Sequence, residues 1–207
     1  MGMKTGLLSR GREILREEGI LSFLVKAFLH LVYLVKKVRG DRKMCVGVCE
    51  ENLIDVGKVL DEVKIKFWLY NGTFLGAYRD GALIPYDSDV DLAIYSEDFK
   101  YLVSLEYVFN KMGFKLESPS YNKVVLFRGG EQIDIDFFEV KGGKRVCGLY
   151  RCDLSAFEIL NEVSFLGRNW RIFSEPERWL EYLYGEDWRM PIKGKRAYEG
   201  KDKCSMH

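Results

Sequence analysis

Two stretches of the chain alternate between acidic and apolar residues, which is a pattern typical of β-strands. The first contains Asp89 and Asp91, and the second contains Asp134 and Asp136 between two Gly-Gly pairs. Successive side chains of a strand point to opposite faces, so each run places its two acids on one face and its apolar residues on the other. The pattern therefore predicts two strands that each carry a pair of carboxylates. If the strands are neighbours, a third acid joins the first pair.

Helical spacing precedes the first acidic run. Apolar residues three or four positions apart predict a helix that packs one face on a core. These residues are Leu53, Val56, Leu60 and Val63. A buried strand is expected over residues 65–70, a turn over residues 71–73 and a second helix from Phe74. The free backbone N–H groups at the start of such a helix attract phosphate, so Gly72 and Thr73 are candidate substrate-binding residues.

The N-terminal region has a different composition. Residues 20–35 are mostly apolar but are interrupted by Lys26 and His30, and five Lys and Arg residues follow up to Lys43. A helix of sixteen residues reaches about 24 Å, less than the roughly 30 Å hydrocarbon core of a bilayer, so a full span is not expected. An apolar helix that ends in basic residues predicts peripheral contact of residues 20–43 with an anionic membrane. The alternative is a helix that packs on the domain or on a partner subunit.

These differences divide the chain into three parts. Residues 1–43 are predicted to form an N-terminal amphipathic helical segment, residues 44–193 a single folded domain, and residues 194–207 a mobile basic tail. The mixture of strands, helices and Gly-Gly hairpins favours an α+β fold, in which helices pack on a small mixed β-sheet.

Composition narrows the classes of function. The chain has 207 residues, of which 47% are hydrophobic and 30% are charged, as in folded globular proteins. Its 32 Lys and Arg residues balance 31 Asp and Glu residues to a net charge of +1. Such a chain has no overall positive field that would favour a nucleic-acid partner.

The cysteines indicate a reducing compartment. Five cysteines without a recognisable cleavable signal sequence predict free thiols and a cytoplasmic protein, peripheral at the inner face of the membrane. A zinc site is a disfavoured alternative, because neither close cysteine pair has the spacing of the common zinc knuckles. The pairs are Cys45 with Cys49 and Cys147 with Cys152.

The paired carboxylates indicate a metal site. Asp89 and Asp91 on one strand face stand about 6–7 Å apart and repel each other unless a cation lies between them. Oxygen ligands at this spacing suit Mg2+, or Mn2+, which takes further ligands from substrate phosphates. A calcium loop of the EF-hand type is disfavoured, because Leu92 stands where that loop requires glycine.

Three motifs, in order along the chain, resemble those of one protein family. The stretch NGTFLGAYRDGALIPYDSDVDLAIY resembles the signature of the LicD and fukutin-related family, within the nucleotidyltransferase superfamily. Matching positions are Gly72, Thr73, Leu75, Gly76, Arg79, Ile84, Pro85, Asp87, Asp89 and Asp91. The later IDFFEV resembles the strand motif with the family's third acid, and ERWLEYLYGEDWRMP resembles its C-terminal element.

The resemblance implies roles for individual residues. The catalytic and metal-binding acids would be Asp89, Asp91 and Asp136. The substrate-binding residues would be Gly72, Thr73, Arg79 and Asp87. Asp134 remains an alternative third acid, because it shares the strand face with Asp136. For Arg79, which the resemblance places on a phosphate, the alternative is an ion pair with Asp80 or Asp87.

The C-terminal element is easier to interpret as structure. Ser174 and Glu177 have the spacing of a capping box at the start of a helix. The aromatic residues that follow are expected to lie in the core, with a substrate contact for Trp188 as the alternative.

The resemblance further implies a nucleotidyltransferase-like catalytic domain with the activity of a LicD-type phosphotransferase. Such an enzyme moves a substituted phosphate, such as phosphocholine or an alditol phosphate, from a CDP-linked donor to a hydroxyl of a glycan, which could be lipid-linked. Tyr86 and Ser88 replace a Trp and an acid of the family pattern, but the Asp pair is intact. Two alternatives remain: transfer of NMP from an NTP to a small molecule or protein, and a non-catalytic binding protein with this fold.

Overall fold

The computed structural model describes residues 44–120, 123–148 and 150–192 of the chain. The predictions made for residues 1–43 and 194–207 lie outside the described residues. No helix in the described part of the chain has both the length and the apolar character needed to cross a membrane.

The described residues form five α-helices and nine β-strands. The helices are α1 (Val46–Glu62), α2 (Asn71–Arg79), α3 (Phe99–Ser104), α4 (Glu106–Lys111) and α5 (Pro176–Tyr184). The strands are β1 (Phe67–Leu69), β2 (Val90–Tyr95), β3 (Lys115–Ser120), β4 (Lys123–Arg128), β5 (Glu131–Lys141), β6 (Lys144–Cys147), β7 (Tyr150–Asp153), β8 (Leu160–Phe165) and β9 (Arg168–Phe173). Short 3-10 turns cover Ser96–Asp98 and Leu154–Phe157.

The main sheet is mixed. Strands β1, β2, β5, β4 and β3 lie side by side in that order, and β6 and β7 continue from β5. The β2–β5 pair is parallel and places Asp91 opposite Asp134, whereas the other pairs of this sheet are antiparallel. A separate hairpin joins β8 to β9. The prediction that the two acidic strands are neighbours is therefore confirmed.

Helix α1 packs its apolar face on the sheet. Leu53, Val56 and Leu60 are fully buried, and the helix contacts β5. Arg128, at the end of β4, holds the polar side of the helix, because its guanidinium donates hydrogen bonds to Asn52 and Asp55. The helix predicted from the spacing of these apolar residues is confirmed.

Helix α2 begins earlier than the sequence predicts. It starts at Asn71 and not at Phe74, so the residues expected to form a turn are the first turn of the helix. The loop after α2 crosses the helix at Gly76, where a Cβ would stand 2.5 Å from the backbone oxygen of Ala82. Glycine is required at this position because any side chain would push the loop away from the helix.

The aromatic residues of the C-terminal element belong to the core. The ring of Trp179 lies 3.9 Å from that of Phe173, and Trp188 is 4% exposed and packs on Tyr78. The capping box expected from Ser174 and Glu177 does not form, because the helix begins with Pro176 and no side chain caps it. A proline supplies a fixed φ and needs no hydrogen bond for its nitrogen, so it starts the helix without a capping side chain.

Candidate active site

Three carboxylates converge where β2 and β5 lie side by side. Ligand oxygens of Asp89, Asp91 and Asp134 lie within 4.8 Å of one another. Asp89 directly precedes β2, Asp91 is its second residue, and Asp134 stands opposite Asp91 on β5. Three hard oxygen donors this close together suit a divalent cation such as Mg2+. The cluster, called the acid triad below, could therefore hold a metal ion.

Asp136 stands one step further along the same face of β5. It lies opposite Ala93 and not opposite Asp91, and the group of oxygens that forms the acid triad includes Asp134 in its place. The family resemblance favours Asp136 as the third acid, so the geometry supports the alternative. The assignment of the third metal ligand to one of these two residues stays a prediction.

Lys123 and Gln132 hold the carboxylate of Asp134. The Lys123 ammonium donates to Oδ2 of Asp134 over 2.5 Å, and the Gln132 amide donates to Oδ1 over 3.1 Å. The same ammonium lies 3.7 Å from Asp136. Burial alone would lower the pKa of Lys123, but the carboxylates of Asp136 and Asp134 raise it. The side chain therefore stays protonated and positively charged.

Lys123 is a site residue that motif analysis does not reveal. The register of the β4–β5 hairpin would reveal it, because the turn at Gly129-Gly130 places Lys123 opposite Asp136. Counting residues outward from a two-residue hairpin turn would have brought this lysine to the acidic face.

The acids of the site resist ionisation in the absence of a cation. Burial, then Asp134 and Asp87, raise the pKa of Asp89 from 3.8 to about 6. Burial and the neighbouring carboxylates, Asp89 first, raise the pKa of Asp91 well above its usual range. The pKa of Asp136 is raised to about 6, chiefly by burial. A site that buries several carboxylates in contact gains stability from a positive charge placed among them.

Gly72 allows a fourth carboxylate to approach the start of α2. A Cβ at Gly72 would stand 2.0 Å from Oδ2 of Asp87 and 3.7 Å from Oδ2 of Asp91. The other oxygen of Asp87 accepts the backbone N–H of Ser88 over 3.0 Å, and burial raises the pKa of Asp87. Gly72 therefore makes room for acids, while the substrate contacts expected for Gly72 and Asp87 stay predictions.

Thr73 holds the backbone of Asp91, one residue of the acid triad. Its hydroxyl oxygen accepts the backbone N–H of Asp91 over 2.8 Å, and Thr73 itself is 2% exposed. The backbone N–H of Tyr70 in turn donates to the carbonyl oxygen of Asp91. Both backbone polar groups of Asp91 are thus fixed by residues at the start of α2. A phosphate contact for Thr73, which the sequence predicts, is not tested by this geometry.

Arg79 is engaged by the protein itself. Its guanidinium donates to both carboxylate oxygens of Asp80, over 2.9 and 2.6 Å, and to the carbonyl oxygen of Trp188 over 3.3 Å. Hydrogen bonding to Asp80 is the largest of the effects that raise its pKa. These contacts match the ion pair considered as the alternative to a phosphate contact, and they tie α2 to the C-terminal element.

Two tyrosines lie beside the triad. The hydroxyl of Tyr150 donates to Oδ1 of Asn71 over 3.1 Å, and Asn71 has a φ of 42°. Burial raises the pKa of Tyr184 well above its usual range, and the charges of Asp91 and Asp87 contribute. Tyr184 lies within the C-terminal motif, whereas nothing in the sequence around Tyr150 distinguishes it from a core residue.

The two other metal sites considered from the sequence are not supported. Strand β2 begins inside the stretch that an EF-hand loop would need. In the described part of the chain, no group of three or more metal-binding side chains includes a cysteine. Burial is the main reason that the pKa of Cys147 is raised and that of Cys152 reaches about 12, so both buried thiols stay protonated.

Comparisons with known proteins agree with the motif analysis. A family model described as LicD/FKTN/FKRP, nucleotidyltransferase domain, matches residues 64–171, just over half of the chain. Ribitol-5-phosphate transferase FKTN of Homo sapiens is 28% identical over 155 residues, which cover 66% of this chain and 32% of that protein. An uncharacterized protein of Rickettsia typhi is 30% identical over 116 residues, which cover 56% of this chain and 36% of that protein. The chain thus spans about a third of the length of these relatives.

A solved structure supports the fold. The solution structure of the antibiotic-resistance factor ANT(2'')-Ia superposes with a TM-score of 0.50 at 17% identity, covering 69% of this chain and 74% of that one. A likeness at this level of identity shows the fold alone. The α+β architecture with helices on a small mixed sheet, predicted from the sequence, is confirmed.

Proposed function

The chain belongs to the LicD/FKTN/FKRP family of nucleotidyltransferase domains, and on this basis we propose that it is a metal-dependent phosphotransferase that acts on a glycan. It moves a substituted phosphate from a CDP-linked donor to a hydroxyl of the acceptor. The donor diphosphate breaks between its bridging oxygen and the phosphorus that is transferred. CMP leaves with the bridging oxygen, and the oxygen of the acceptor hydroxyl bonds to that phosphorus. The convergence of Asp89, Asp91 and Asp134 on neighbouring strands is the observation that carries the proposal.

The acid triad fits a divalent cation in its donor atoms and in its charge. Its three residues offer carboxylate oxygens within 4.8 Å of one another, and burial and mutual repulsion raise the pKa values of Asp89 and Asp91. When bound there, Mg2+ or Mn2+ would neutralise the charge that develops on the donor diphosphate. The likeness to other nucleotidyltransferase-type domains supports the presence of such an ion and leaves its identity open to experiment.

The chain's own residues position the reaction. Thr73 and Tyr70 fix the backbone of Asp91 from both sides, which leaves its carboxylate in a set position. Phosphoryl transfer depends mainly on positioning and charge, so this rigidity is a direct contribution to rate. Asp136, on the same strand face just beyond the triad, accepts the proton of the acceptor hydroxyl in this proposal.

The name of a relative supports one kind of transferred group over the other. The human relative is named a ribitol-5-phosphate transferase, which favours an alditol phosphate over phosphocholine as the group that this chain transfers. The acceptor is a glycan, and a lipid-linked glycan would agree with membrane contact through residues 20–43. Donor, acceptor and membrane contact are all parts of the proposal.

Product analysis tests the function. The full chain is incubated with Mg2+ and a glycan acceptor, and with CDP-ribitol, CDP-choline or CTP in parallel. We expect CMP release from CDP-ribitol and a mass increase of the acceptor by one ribitol phosphate. The Asp91→Asn variant should release no CMP. Release of pyrophosphate from CTP, with a nucleotide added to the acceptor, would replace this function by nucleotidyl transfer. Binding of a donor without any turnover would indicate a binding protein.

A further inference from the structure

Lys123 already neutralises part of the acid triad. Its ammonium lies 2.5 Å from Oδ2 of Asp134 and 3.7 Å from Oδ1 of Asp136. The side chain of Asp134 is 8% exposed, whereas that of Lys123 is 31% exposed. The more buried partner is the acid, so the lysine reaches from the rim of the site onto a carboxylate that it shields from water. The third carboxylate of the triad therefore has a cation in contact before any metal arrives.

This contact places the ammonium and a metal ion in competition. A divalent cation bound by Asp89, Asp91 and Asp134 needs an oxygen of Asp134, and Lys123 and Gln132 each hold one of its two oxygens. Gln132 carries no net charge, whereas the Lys123 ammonium would repel a metal ion bound to the same carboxylate. Lys123 is thus the contact of Asp134 that opposes metal binding by charge.

We propose that Lys123 is a positioning residue that acts as a built-in counter-ion, weakening the hold of the acid triad on a divalent cation in the absence of the donor. This inference rests on the proposed function. With the lysine in place, the triad by itself holds a cation weakly, and the cation binds tightly only together with the donor diphosphate, whose oxygens supply the ligands that the protein does not. Mg2+ sites built from few carboxylates plus substrate phosphates follow the same logic.

Binding of Mn2+ to the full chain, followed by the EPR signal of the free ion without any nucleotide, tests the proposal. Lys123→Met removes the charge and keeps an unbranched side chain only one atom shorter, and Lys123→Arg keeps the charge. The matched control is Lys144→Met, because Lys144 is 30% exposed and pairs with Asp153 outside the triad. We expect Lys123→Met to bind Mn2+ on the order of tenfold more tightly than the parent chain, as removal of one unit charge beside a divalent ion implies. Lys123→Arg and Lys144→Met should bind within about twofold of the parent.

Three outcomes are distinguishable. Tighter binding by Lys123→Met alone supports the counter-ion. Equal or weaker binding by Lys123→Met, with binding lost in Asp91→Asn, overturns the counter-ion, because removal of a merely structural lysine would disturb the site. The proposed function stays intact in that case. Unchanged binding in Asp91→Asn would mean that the triad is not the metal site, and the counter-ion and the metal-dependent function would both fall.

Discussion

The backbone N–H of Asp91 donates a hydrogen bond to the side-chain oxygen of Thr73 over 2.8 Å, and both residues are buried. A strand residue that carries a metal-binding carboxylate is thereby fixed by the first turn of a helix. The residue type matters here, because the contact needs an oxygen acceptor on a short side chain.

Thr73→Val should loosen the acid triad. The change keeps the shape of the side chain but leaves the buried N–H of Asp91 without its acceptor, which costs about 1–3 kcal/mol of the free energy of unfolding. Thr73→Ser keeps the acceptor and should stay close to the parent. Urea denaturation measures the stability, and initial rates measure turnover, which should fall in Thr73→Val alone. Loss of turnover in Thr73→Val at unchanged stability would instead support a direct contact of the Thr73 hydroxyl with the substrate.

Asp134→Asn and Asp136→Asn should separate the two candidates for the third acid. Asp134→Asn removes a ligand of the triad, so affinity for Mn2+ and turnover should both fall, by more than the roughly 10–100-fold that loss of a ligand's hydrogen-bonding partner costs. Asp136→Asn removes a proton acceptor, so turnover should fall by about 10²–10⁴ while metal affinity changes little. Titration with Mn2+ measures the metal affinity, and initial rates measure the turnover. If instead Asp136→Asn loses metal affinity and Asp134→Asn keeps it, Asp136 is the third ligand, as the family motif suggests.

The acidic strands were predictable because strand periodicity is local. Alternation alone places Asp89 and Asp91 on one face, and likewise Asp134 and Asp136. It does not decide which of the second pair meets the first, because the β2–β5 register depends on how the whole sheet packs. The family motif favours Asp136 on the same strand, and only the three-dimensional register brings Asp134 to Asp91.

Other features lay beyond the sequence for different reasons. The capping box was wrong at Ser174 because Pro176 starts the helix by its own geometry. Helix α2 starts at Asn71, which adopts a positive φ that asparagine tolerates better than most residues and that no local sequence pattern reveals. Tyr150 lies in the β6–β7 hairpin and reaches the site through its hydrogen bond to Asn71, a contact between distant parts of the chain that no local pattern records.

The metal-free protein should be more stable in mild acid than at neutral pH. The pKa of Asp89 in the fold, about 6, lies above its ordinary value of 3.8, so between these values the folded chain holds a proton that the unfolded chain has lost. The stability that this proton brings is complete below about pH 4 and is lost as pH rises through 6. The pKa of Asp136 is raised to about 6 as well and acts in the same direction. We expect the melting temperature in EDTA to fall by several degrees between pH 5 and 7.5.

Mg2+ should reverse this loss. The ion binds the ionised carboxylates, so the rise in melting temperature on adding Mg2+ should be larger at pH 7.5 than at pH 5, where protons compete. The control is Asp89→Asn, whose melting temperature should depend less on pH and on Mg2+. A parent chain whose melting temperature rises between pH 5 and 7.5 in EDTA would contradict the predicted direction.

Arg79→Lys should affect stability more than donor binding. The variant keeps the charge but loses the fork that joins Asp80 to the carbonyl of Trp188, so the free energy of unfolding should fall by about 1–3 kcal/mol. The KM for the donor should change by less than about threefold, since this is below 1 kcal/mol of binding. Asp80→Asn, which removes the partner, should lower stability in the same direction. A large rise in donor KM at unchanged stability would support the phosphate contact implied by the family.

Membrane contact through residues 20–43 stays a prediction from the sequence, and sedimentation with anionic vesicles checks it. The full chain should pellet with the vesicles at low salt and less so at high salt, because the basic residues that follow Val35 are screened. A chain that begins at Met44 should remain in the supernatant. If both chains stay in the supernatant, this segment is assigned to packing against protein.

The parallel pairing of β2 with β5 makes the active site a product of the complete topology. Strand β5 forms its hairpin with β4 across a two-residue turn, but it meets β2 only after the chain has passed through two helices and the β3–β4 hairpin. Such non-local parallel pairing forms late and slowly compared with hairpins. Metal affinity therefore measures whether the chain has completed folding. A fragment that ends before β5 brings no second strand to Asp91 and cannot assemble the triad, and neither can a misfolded chain that retains only its hairpins.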